Sequence, residues 1–336
     1  MPRGRGRRRR ATKVEAEGEI PPSAPRSSRC RGGRRGQLPE DVRRAKEKIE
    51  EEPGVAAVEY DHAREASYTP ADPGFPEQWG LKKTGFRSAW DAARGEGVRI
   101  AVVDSGVAAG HPDLAGKVVA QRDFVNGDGT ADDDFGHGTH VAGIAAARTG
   151  NGTGVAGGCP GCELLVAKTM QGRIGYDSDV AQGIIWAADN GADVINLSLT
   201  GPAPSGVLER AVDYAWDKGS VVVAAAGNSG DGTVQYPGAY SNVIAVAAVD
   251  RSENRASFST MGGWVDVAAP GVGVLSTLPG GYGYMNGTSM ATPHVAALAG
   301  LLAEEGLSNQ QIKHRIVSNT ADLGPPAETP SSAPAA

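Results

Sequence analysis

The sequence predicts an α/β fold in which helices cover both faces of a mostly parallel sheet. Between residues 80 and 321, short continuous apolar runs end in turn residues, and segments with a helical period lie between them. Continuous apolar strands with interleaved helices are typical of parallel sheets that are buried on both faces. In such folds the functional groups lie beyond the carboxyl ends of the strands.

Each element follows from a local pattern. Strands are expected at the apolar runs 98–103, 164–167, 194–199, 221–226, 243–249 and 264–269. One helix is expected where Val180, Ile184, Ile185 and Ala188 share a face, and Asn190-Gly191 ends it. A second is expected where Val207, Ala211, Ala215 and Trp216 repeat that period, and Gly219 ends it.

Composition excludes several classes of protein. Of 336 residues, 40% are hydrophobic and 21% charged, which favours a folded globular chain over wholesale disorder. No uncharged apolar run approaches the roughly 18 residues of a membrane helix, so we expect no membrane association. The first 30 residues contain no apolar core, so no secretory signal is visible.

The amino-terminal arm and the rest of the chain have opposite net charges. Residues 1–36 contain 11 Arg and 1 Lys against 3 Glu, a net charge of +9, whereas the whole chain has −6. Such an arm could bind nucleic acid. Because it has few apolar side chains to bury, the preferred prediction is a solvated, disordered tail at residues 1–37. The acidic body also argues against nucleic acid as a partner. A second disordered tail, rich in Pro, Ala and Ser, is predicted at 323–336.

Four polar residues stand at positions where chemistry is expected. Asp104 and Asn228 follow apolar strands, His137 precedes an Ala-rich helix, and Ser289 lies at the start of another helix. Taken alone, each is also what a turn, a cap or a structural histidine requires. The spacing of His137 and His140 does not predict a zinc site, because the sequence contains neither a His-Glu-x-x-His motif nor a second His/Cys cluster at ligand spacing.

Together these residues have the composition of an acyl-transfer site. A serine hydroxyl needs a base to remove its proton, and the imidazole that does so needs a carboxylate to fix its tautomer and stabilise its cation. The tetrahedral intermediate also needs hydrogen-bond donors for its oxyanion. Asp104, His137 and Ser289 would fill the first three roles. Asn228, together with the backbone N–H of Ser289, would fill the last.

Three segments resemble the active-site blocks of subtilisin-like serine proteases, with the thermitase-like branch most similar. They are Asp104-Ser105-Gly106, residues 137–143 (HGTHVAG) and residues 287–294 (GTSMATPH). The resemblance extends from Tyr68 to Asp322 and implies a three-layer subtilisin-like catalytic domain at 63–322. It also implies a serine endopeptidase that acts through the triad and an acyl-enzyme, with Asn228 as oxyanion donor.

The resemblance implies a peptide site as well. The family binds extended peptides between two edge segments, here Gly175-Tyr176 and Ser198-Leu199. Thr200 stands where relatives usually have Gly, and we expect it to narrow the pocket for the residue that donates the scissile carbonyl. Ala226 and Gly227 are assigned to the same binding site.

Calcium is the expected cofactor, as a structural ion. Asp123, Asn126, Asp128, Thr130 and Asp132 bring oxygen donors together before His137, as calcium prefers, although a solvated acidic loop is the alternative. The thermitase-like branch has a site in this loop, where Asn126 replaces an expected carboxylate. The resemblance implies a stronger site with these ligands: Asp72, Asp113, Asn151 and the carbonyls of Arg148, Thr153 and Val155.

The remaining expectations concern maturation and location. Residues 38–62 resemble a truncated remnant of the family's inhibitory propeptide, which would be a partner of the enzyme, otherwise a monomer. The family resemblance implies an extracellular protein. Cys159 and Cys162 are either a small-loop disulfide or a free pair. Because the propeptide and the carboxyl-terminal segment are short, the alternative function is a latent, zymogen-like or inactive folded module.

Overall fold

Short strands alternate with helices along the computed structural model, which describes residues 69–321 and residue 323. The strands are β1 (Arg99–Asp104), β2 (Val118–Asp123), β3 (Glu163–Lys168), β4 (Met170–Gln171), β5 (Ile174–Gly175), β6 (Val194–Leu197), β7 (Val221–Ala225), β8 (Val243–Val249), β9 (Val267–Pro270), β10 (Val274–Leu278) and β11 (Gly281–Met285). The helices are α1 (Trp79–Lys83), α2 (Phe86–Ala89), α3 (His137–Ala146), α4 (Asp177–Asp189), α5 (Gly206–Asp217), α6 (Thr288–Glu304) and α7 (Asn309–Ser318).

The central sheet is parallel, as predicted. Its order is β2-β3-β1-β6-β7-β8-β9, and every neighbouring pair in it runs in the same direction. Strand β1 lies between β3 and β6, so the chain changes its direction of travel across the sheet at β1. A crevice at such a reversal is where open α/β sheets bind ligands.

Helices cover both faces of this sheet, which confirms the three-layer α/β architecture. Side chains alternate along each strand, so Ile100 and Val102 enter one apolar cluster while Ala101 and Val103 enter the other. The first cluster contains residues of α3, α6 and α7. The second contains residues of α4 and α5. Both faces of the sheet are buried, which is why the central strands are continuous apolar runs in the sequence.

The strands that the sequence patterns missed lie at the edge of the central sheet or outside it. Strand β2 is an edge strand with only Asp123 fully buried, so it lacks a continuous apolar run. The hairpin of β10 and β11 lies outside the central sheet and alternates in exposure along β11. The predicted helices are present, and the turns after them contain Gly191 and Gly219 at φ angles of +73° and +97°.

Cys159 and Cys162 form a disulfide that is buried in the first cluster. A methyl group added to Gly95 would lie 2.0 Å from Cys159 Sγ, so only glycine fits beside the bridge.

The described residues belong to one compact unit, Ser67–Ala336. Within them, no helix has both the length and the apolar character needed to span a bilayer. The predicted segments 1–37 and 38–62, and the predicted tail 323–336 except residue 323, lie outside the described residues. The proposed domain boundaries therefore stay predictions.

Candidate active site

Asp104 and His137 form a hydrogen-bonded pair at the carboxyl edge of the sheet. Asp104 ends β1 with a fully buried side chain, and His137 opens α3 with 18% of its side chain exposed. Nδ1 of His137 donates to Asp104 Oδ1 over 2.8 Å, because an ionised carboxylate can only accept. This bond fixes the tautomer and leaves Nε2 as the unprotonated ring nitrogen.

A second carboxylate fixes the start of α3. Asp133 Oδ1 accepts from Ser105 Oγ and from the backbone N–H groups of Phe135 and Gly136 over 2.8–3.0 Å. Its Oδ2 accepts from Thr139 N and Oγ1 over 2.9 and 2.5 Å. Ser105 Oγ also accepts from the backbone of α3. The amino end of the helix that carries His137 is therefore tied to the strand end that carries Asp104.

The pKa of His137 lies above the ordinary 6.5. Burial alone would lower this pKa, but the charge and hydrogen bond of Asp104 and the charge of Asp133 favour the imidazolium more strongly. The positive charge of Arg173 acts in the opposite direction. The ring thus lies where its cation is stabilised, as a catalytic base requires.

Ser289 lies at the amino end of α6, next to the end of β6. Its hydroxyl donates to Ser198 O over 3.0 Å, and the Ser198 hydroxyl donates back to Ser289 O over 2.8 Å. Val102 of β1 is level with Asn196 of β6, so Asp104 and Ser198 are level on adjacent strands. Strand ends in this register are about 5 Å apart, which brings Ser289 to the same crevice as Asp104.

The hydroxyl of Ser289 is not hydrogen-bonded to His137. Among the described residues its hydrogen bond is the one to Ser198 O. In proteins without bound substrate, catalytic hydrogen bonds are often long or poorly aligned and tighten on binding. The structure thus joins Asp104 and His137 by a hydrogen bond, whereas the Ser289 hydroxyl is bonded to Ser198 O; the catalytic roles of the three residues stay predictions.

Among residues 69–321, the side chain of Asn228 is hydrogen-bonded through its oxygen and not through its amide nitrogen. Its Oδ1 accepts from Thr288 N and Thr288 Oγ1 over 2.9 and 3.2 Å, and its side chain is exposed. A methyl group built on Gly287 would lie 3.6 Å from Ser289 N and 3.7 Å from Asn228 Nδ2. The two expected oxyanion donors therefore border the same space.

The expected peptide-binding segments differ in exposure. Gly175 ends the short edge strand β5, and the adjoining Tyr176 is 71% exposed. Ser198, Leu199 and Thr200 extend β6 beyond the sheet; Ser198 is buried and Thr200 is exposed.

Ala226 and Gly227 extend the next strand, β7, and are both buried. Gly227 has a φ of +97°, and its backbone N–H donates to Thr288 Oγ1 over 3.1 Å. The segments that follow β6 and β7 are therefore both hydrogen-bonded to the start of α6, next to Ser289.

Two buried carboxylates mark the stronger of the expected calcium sites. Asp72 and Asp113 are 2% and 0% exposed, and neither forms an ion pair with any described residue. Asp72 accepts from Gly150 N over 2.7 Å, and Asp113 accepts from Asn151 Nδ2 and Val155 N over 2.8 Å each. Burial, and the neighbouring Asp113 to a smaller extent, raise the pKa of Asp72.

The other expected ligands of this site lie along the same loop. Arg148 N donates to Asp113 O over 2.8 Å, and Thr153 N donates to Asn151 Oδ1 over 2.8 Å. Within residues 69–321, no three His, Cys, Asp or Glu side chains are grouped to hold a metal. A cation here would need amide and carbonyl oxygens besides the two carboxylates.

The second expected calcium loop is largely bonded to itself. Asp123 accepts from Val125 N, Asn126 N and Asn126 Nδ2 over 2.7–2.9 Å. Asp128 accepts from Thr130 N over 3.2 Å, and the backbone carbonyl of Asp132 accepts from the buried Lys168 ammonium over 2.8 Å. The structure thus places a positive charge beside this loop.

Sequence reasoning missed the residues that support the site. Asp133, Thr139 and Thr288 each bond a proposed functional residue or its helix, and none was identified from the sequence. An acidic residue shortly before a helix start is a known signal, so Asp133 could have been found. Thr288 could not, because its partner Asn228 lies 60 positions away.

Comparisons with known proteins identify the family of the chain. A profile described as the subtilase family matches residues 95–332. Thermitase from Thermoactinomyces vulgaris is 54% identical over 258 residues, which are 76% of this chain and 92% of thermitase. A thermophilic serine proteinase from Bacillus sp. strain AK1 is 51% identical over 274 residues, 80% of this chain and 68% of that protein.

A solved structure shows the same fold. A protease from Pseudoalteromonas arctica superposes with a TM-score of 0.73 at 35% identity, covering 76% of this chain and 94% of that one. The profile match, the two relatives and the shared fold agree with one another. The chain therefore belongs to the subtilase family of serine peptidases, on its thermitase-like branch.

Proposed function

We propose that this peptidase cleaves internal peptide bonds with Ser289 as nucleophile, His137 as general base and Asp104 as the group that orients the base. The observation that carries this proposal is the 2.8 Å bond from His137 Nδ1 to the buried Asp104. This bond leaves Nε2, the ring nitrogen that faces away from β1, as the proton acceptor. Rotation of the Ser289 side chain from Ser198 O toward Nε2 would complete the triad.

The reaction then follows from the positions of these groups. Nε2 takes the hydroxyl proton as Ser289 Oγ bonds to the scissile carbonyl carbon, and the proton passes to the leaving amine as the C–N bond breaks. Water, deprotonated by the same nitrogen, then attacks the acyl carbon, and Nε2 returns the proton to Ser289 Oγ as the bond from the acyl carbon to Oγ breaks and the product acid leaves. The anionic oxygen receives hydrogen bonds from Ser289 N and Asn228 Nδ2. Thr288 contributes by holding the carbonyl of Asn228 away from that oxygen.

Substrates are proposed to be peptides and proteins bound in extended form. The free edge of β5 at Gly175-Tyr176 and the segment Ser198-Leu199 would pair with the substrate backbone on either side. The side chain that precedes the scissile bond would enter between the ends of β6 and β7. Thr200 is exposed at this position and would narrow the pocket.

The narrowing has a direct test. With peptides that vary only in the residue donating the scissile carbonyl, the native enzyme should prefer alanine to phenylalanine. Thr200→Gly should raise the rate for phenylalanine. Equal rates for both peptides, or an unchanged profile in the variant, would rule out this role.

The proposed calcium ion would lie at Asp72 and Asp113. Two buried carboxylates that have no cationic partner in the described part of the chain fit a divalent cation, and Asn151 and the carbonyls of Arg148, Thr153 and Val155 would complete an oxygen shell. When bound, the ion supplies charge neutralisation that ties the residue 150–155 loop to the domain.

We propose weaker binding at the loop of Asp123, Asn126, Asp128, Thr130 and Asp132. Its carboxylates already accept hydrogen bonds, and the Lys168 ammonium opposes a second cation.

Calcium removal tests both sites. At about 1,000 times its Kd, a ligand bound only by the native state stabilises it by about 4 kcal/mol, so a chelator should lower Tm clearly. Asp113→Asn should abolish most of that shift, whereas Asp91→Asn, at an exposed turn, should preserve it. A Tm unaffected by the chelator would refute the calcium proposal.

Nucleophile replacement tests the catalytic proposal. Native protein should react with a serine-directed fluorophosphonate and process its own 61–68 region, and Ser289→Ala should do neither. Amino-terminal sequencing would locate the processing site and reveal whether the remnant at 38–62 acts as an inhibitory partner. The alternative, a folded but latent module, is favoured by the bond from Ser289 to Ser198 O and predicts no labelling of the native protein.

Location and assembly complete the proposal. We propose an extracellular, monomeric enzyme that does not bind nucleic acid. Binding to nucleic acid that weakens with salt and disappears when residues 1–36 are deleted would contradict the last point.

A further inference from the structure

An arginine lies close to the proposed catalytic histidine. Arg173 is at the tip of the β4–β5 hairpin, where Gln171 is opposite Ile174 and Gly172 has a φ of +59°. The side chain of Arg173 is exposed, and it forms no ion pair with any residue between 69 and 321. Its charge is nevertheless close enough to His137 to affect the pKa of that ring.

An aromatic ring lies next to this guanidinium. Cζ of Arg173 lies 5.7 Å from the centroid of the Phe135 ring, within range of a cation–π contact. The Phe135 ring stacks in turn on His137, with centroids 6.4 Å apart and planes 26° from parallel. Phe135 is 40% exposed, so the stack of three side chains presents an open apolar and cationic surface.

Two carboxylates nearby already have partners. Asp133 accepts five hydrogen bonds from Ser105, Phe135, Gly136 and Thr139. Asp134 forms an ion pair with Lys168 over 3.4 Å. The guanidinium donors of Arg173 have no such acceptor in the described chain and are free to bind a group from outside.

The proposed binding mode indicates which substrate residue meets this surface. In an extended peptide, successive side chains point to opposite sides. The side chain of the residue that donates the scissile carbonyl enters between the ends of β6 and β7. The side chain of the preceding residue would therefore point away from the ends of β6 and β7. It would face the side where Asp104 ends β1 and Phe135 stacks on His137.

We propose that Phe135 and Arg173 form a subsite that selects an acidic side chain at the substrate residue immediately before the one donating the scissile carbonyl. The guanidinium would bind the carboxylate through two parallel N–H···O bonds, a geometry for which arginine is suited and lysine is not. The methylene groups of a glutamate would pack on the exposed Phe135 ring. This inference rests on the proposed catalytic function and names the substrate class for it.

Matched peptides test the subsite. We would compare kcat/KM for acetyl-Ala-Ala-X-Ala anilides in which X is Glu, Gln or Lys. An exposed ion pair corresponds to about a two- to fivefold effect, so Glu should exceed Gln by that ratio and Lys should fall below Gln. The ratio should approach 1 in Arg173→Gln, survive in part in Arg173→Lys, and shrink in 1 M salt, where charges are screened within about 3 Å.

A second arginine on a phenylalanine provides the control. Arg122 lies 5.0 Å from the ring centroid of Phe124, on an edge strand, so Arg122→Gln removes the same charge from a similar contact elsewhere. This control should keep the Glu/Gln ratio of the native enzyme.

Three outcomes would overturn the inference: a native ratio near 1, a ratio unchanged in Arg173→Gln, or an equal loss in the control. Cleavage of every peptide without charge preference would leave the catalytic proposal intact. No cleavage at all would refute both.

Discussion

Asp133 allows a sharp test of how the start of α3 is held. Its Oδ1 accepts from Ser105, Phe135 and Gly136, and its Oδ2 accepts two bonds from Thr139. In Asp133→Asn, the carbonyl oxygen can still accept hydrogen bonds, but the NH₂ group would face the backbone N–H of Thr139. Both groups are donors, so no hydrogen bond can form between them. Each hydrogen bond to a charged acceptor contributes about 1.5–3 kcal/mol. Because the Thr139 hydroxyl can turn to accept from the new amide, we expect a net loss of about 2 kcal/mol.

The substitution should also move the acid limb of the pH–rate profile. The charge of Asp133 helps to raise the pKa of His137, so removing it lowers that pKa. Only the neutral imidazole can act as base, so activity rises as pH passes through this pKa. The rise in kcat/KM should therefore occur at lower pH in Asp133→Asn.

Stability has to be measured in a variant that cannot digest itself, and reaction rates in the active enzyme. Denaturant unfolding would be measured in Ser289→Ala, to prevent autolysis, with and without Asp133→Asn. Asp134→Asn is the matched control, because its side chain is 51% exposed and its ion pair is a surface one, worth less than about 1 kcal/mol. Equal stability losses in the two variants, or an acid limb displaced to higher pH, would refute the reasoning.

Three further predictions concern the oxyanion donor, acid stability and packing. Asn228→Leu should lower kcat about 10²–10³-fold with little change in KM, the loss known for the corresponding donor of subtilisin; an unchanged kcat would exclude Asn228 as donor. His140 and His294 are buried, and their pKa values are lowered to about 4. The free energy of unfolding should therefore fall as pH drops from 6.5 toward 4, by about 1.4 kcal/mol per pH unit for each histidine. An unfolding free energy that stays constant over that interval would contradict this prediction. Gly143→Ala would place a methyl group 2.2 Å from a hydroxyl oxygen of β10 and should cost about 1–3 kcal/mol by denaturant unfolding, whereas Gly110→Ala, with open space around it, should be close to neutral.

The sequence by itself determined the layered α/β fold and the candidates for chemistry. Strands buried on both faces must be continuously apolar, so β1, β7 and β8 were visible as runs. The residues that end such strands are confined to one edge of the sheet, which is why Asp104 and Asn228 became candidates for the site. The edge strand β2 was missed because one side of it meets solvent and no apolar run is required there.

Only the tertiary structure decided how these residues are supported and what surrounds them. The Ser198–Ser289 exchange and the bonds of Asn228 to Thr288 join residues 91 and 60 positions apart, and local spacing carries no signal for such contacts. The same holds for Arg173 on Phe135: neither residue is unusual in its own segment, and their contact exists because the β4–β5 hairpin reaches the start of α3. Local periodicity reports burial, whereas the partner of a side chain depends on which elements the fold brings together.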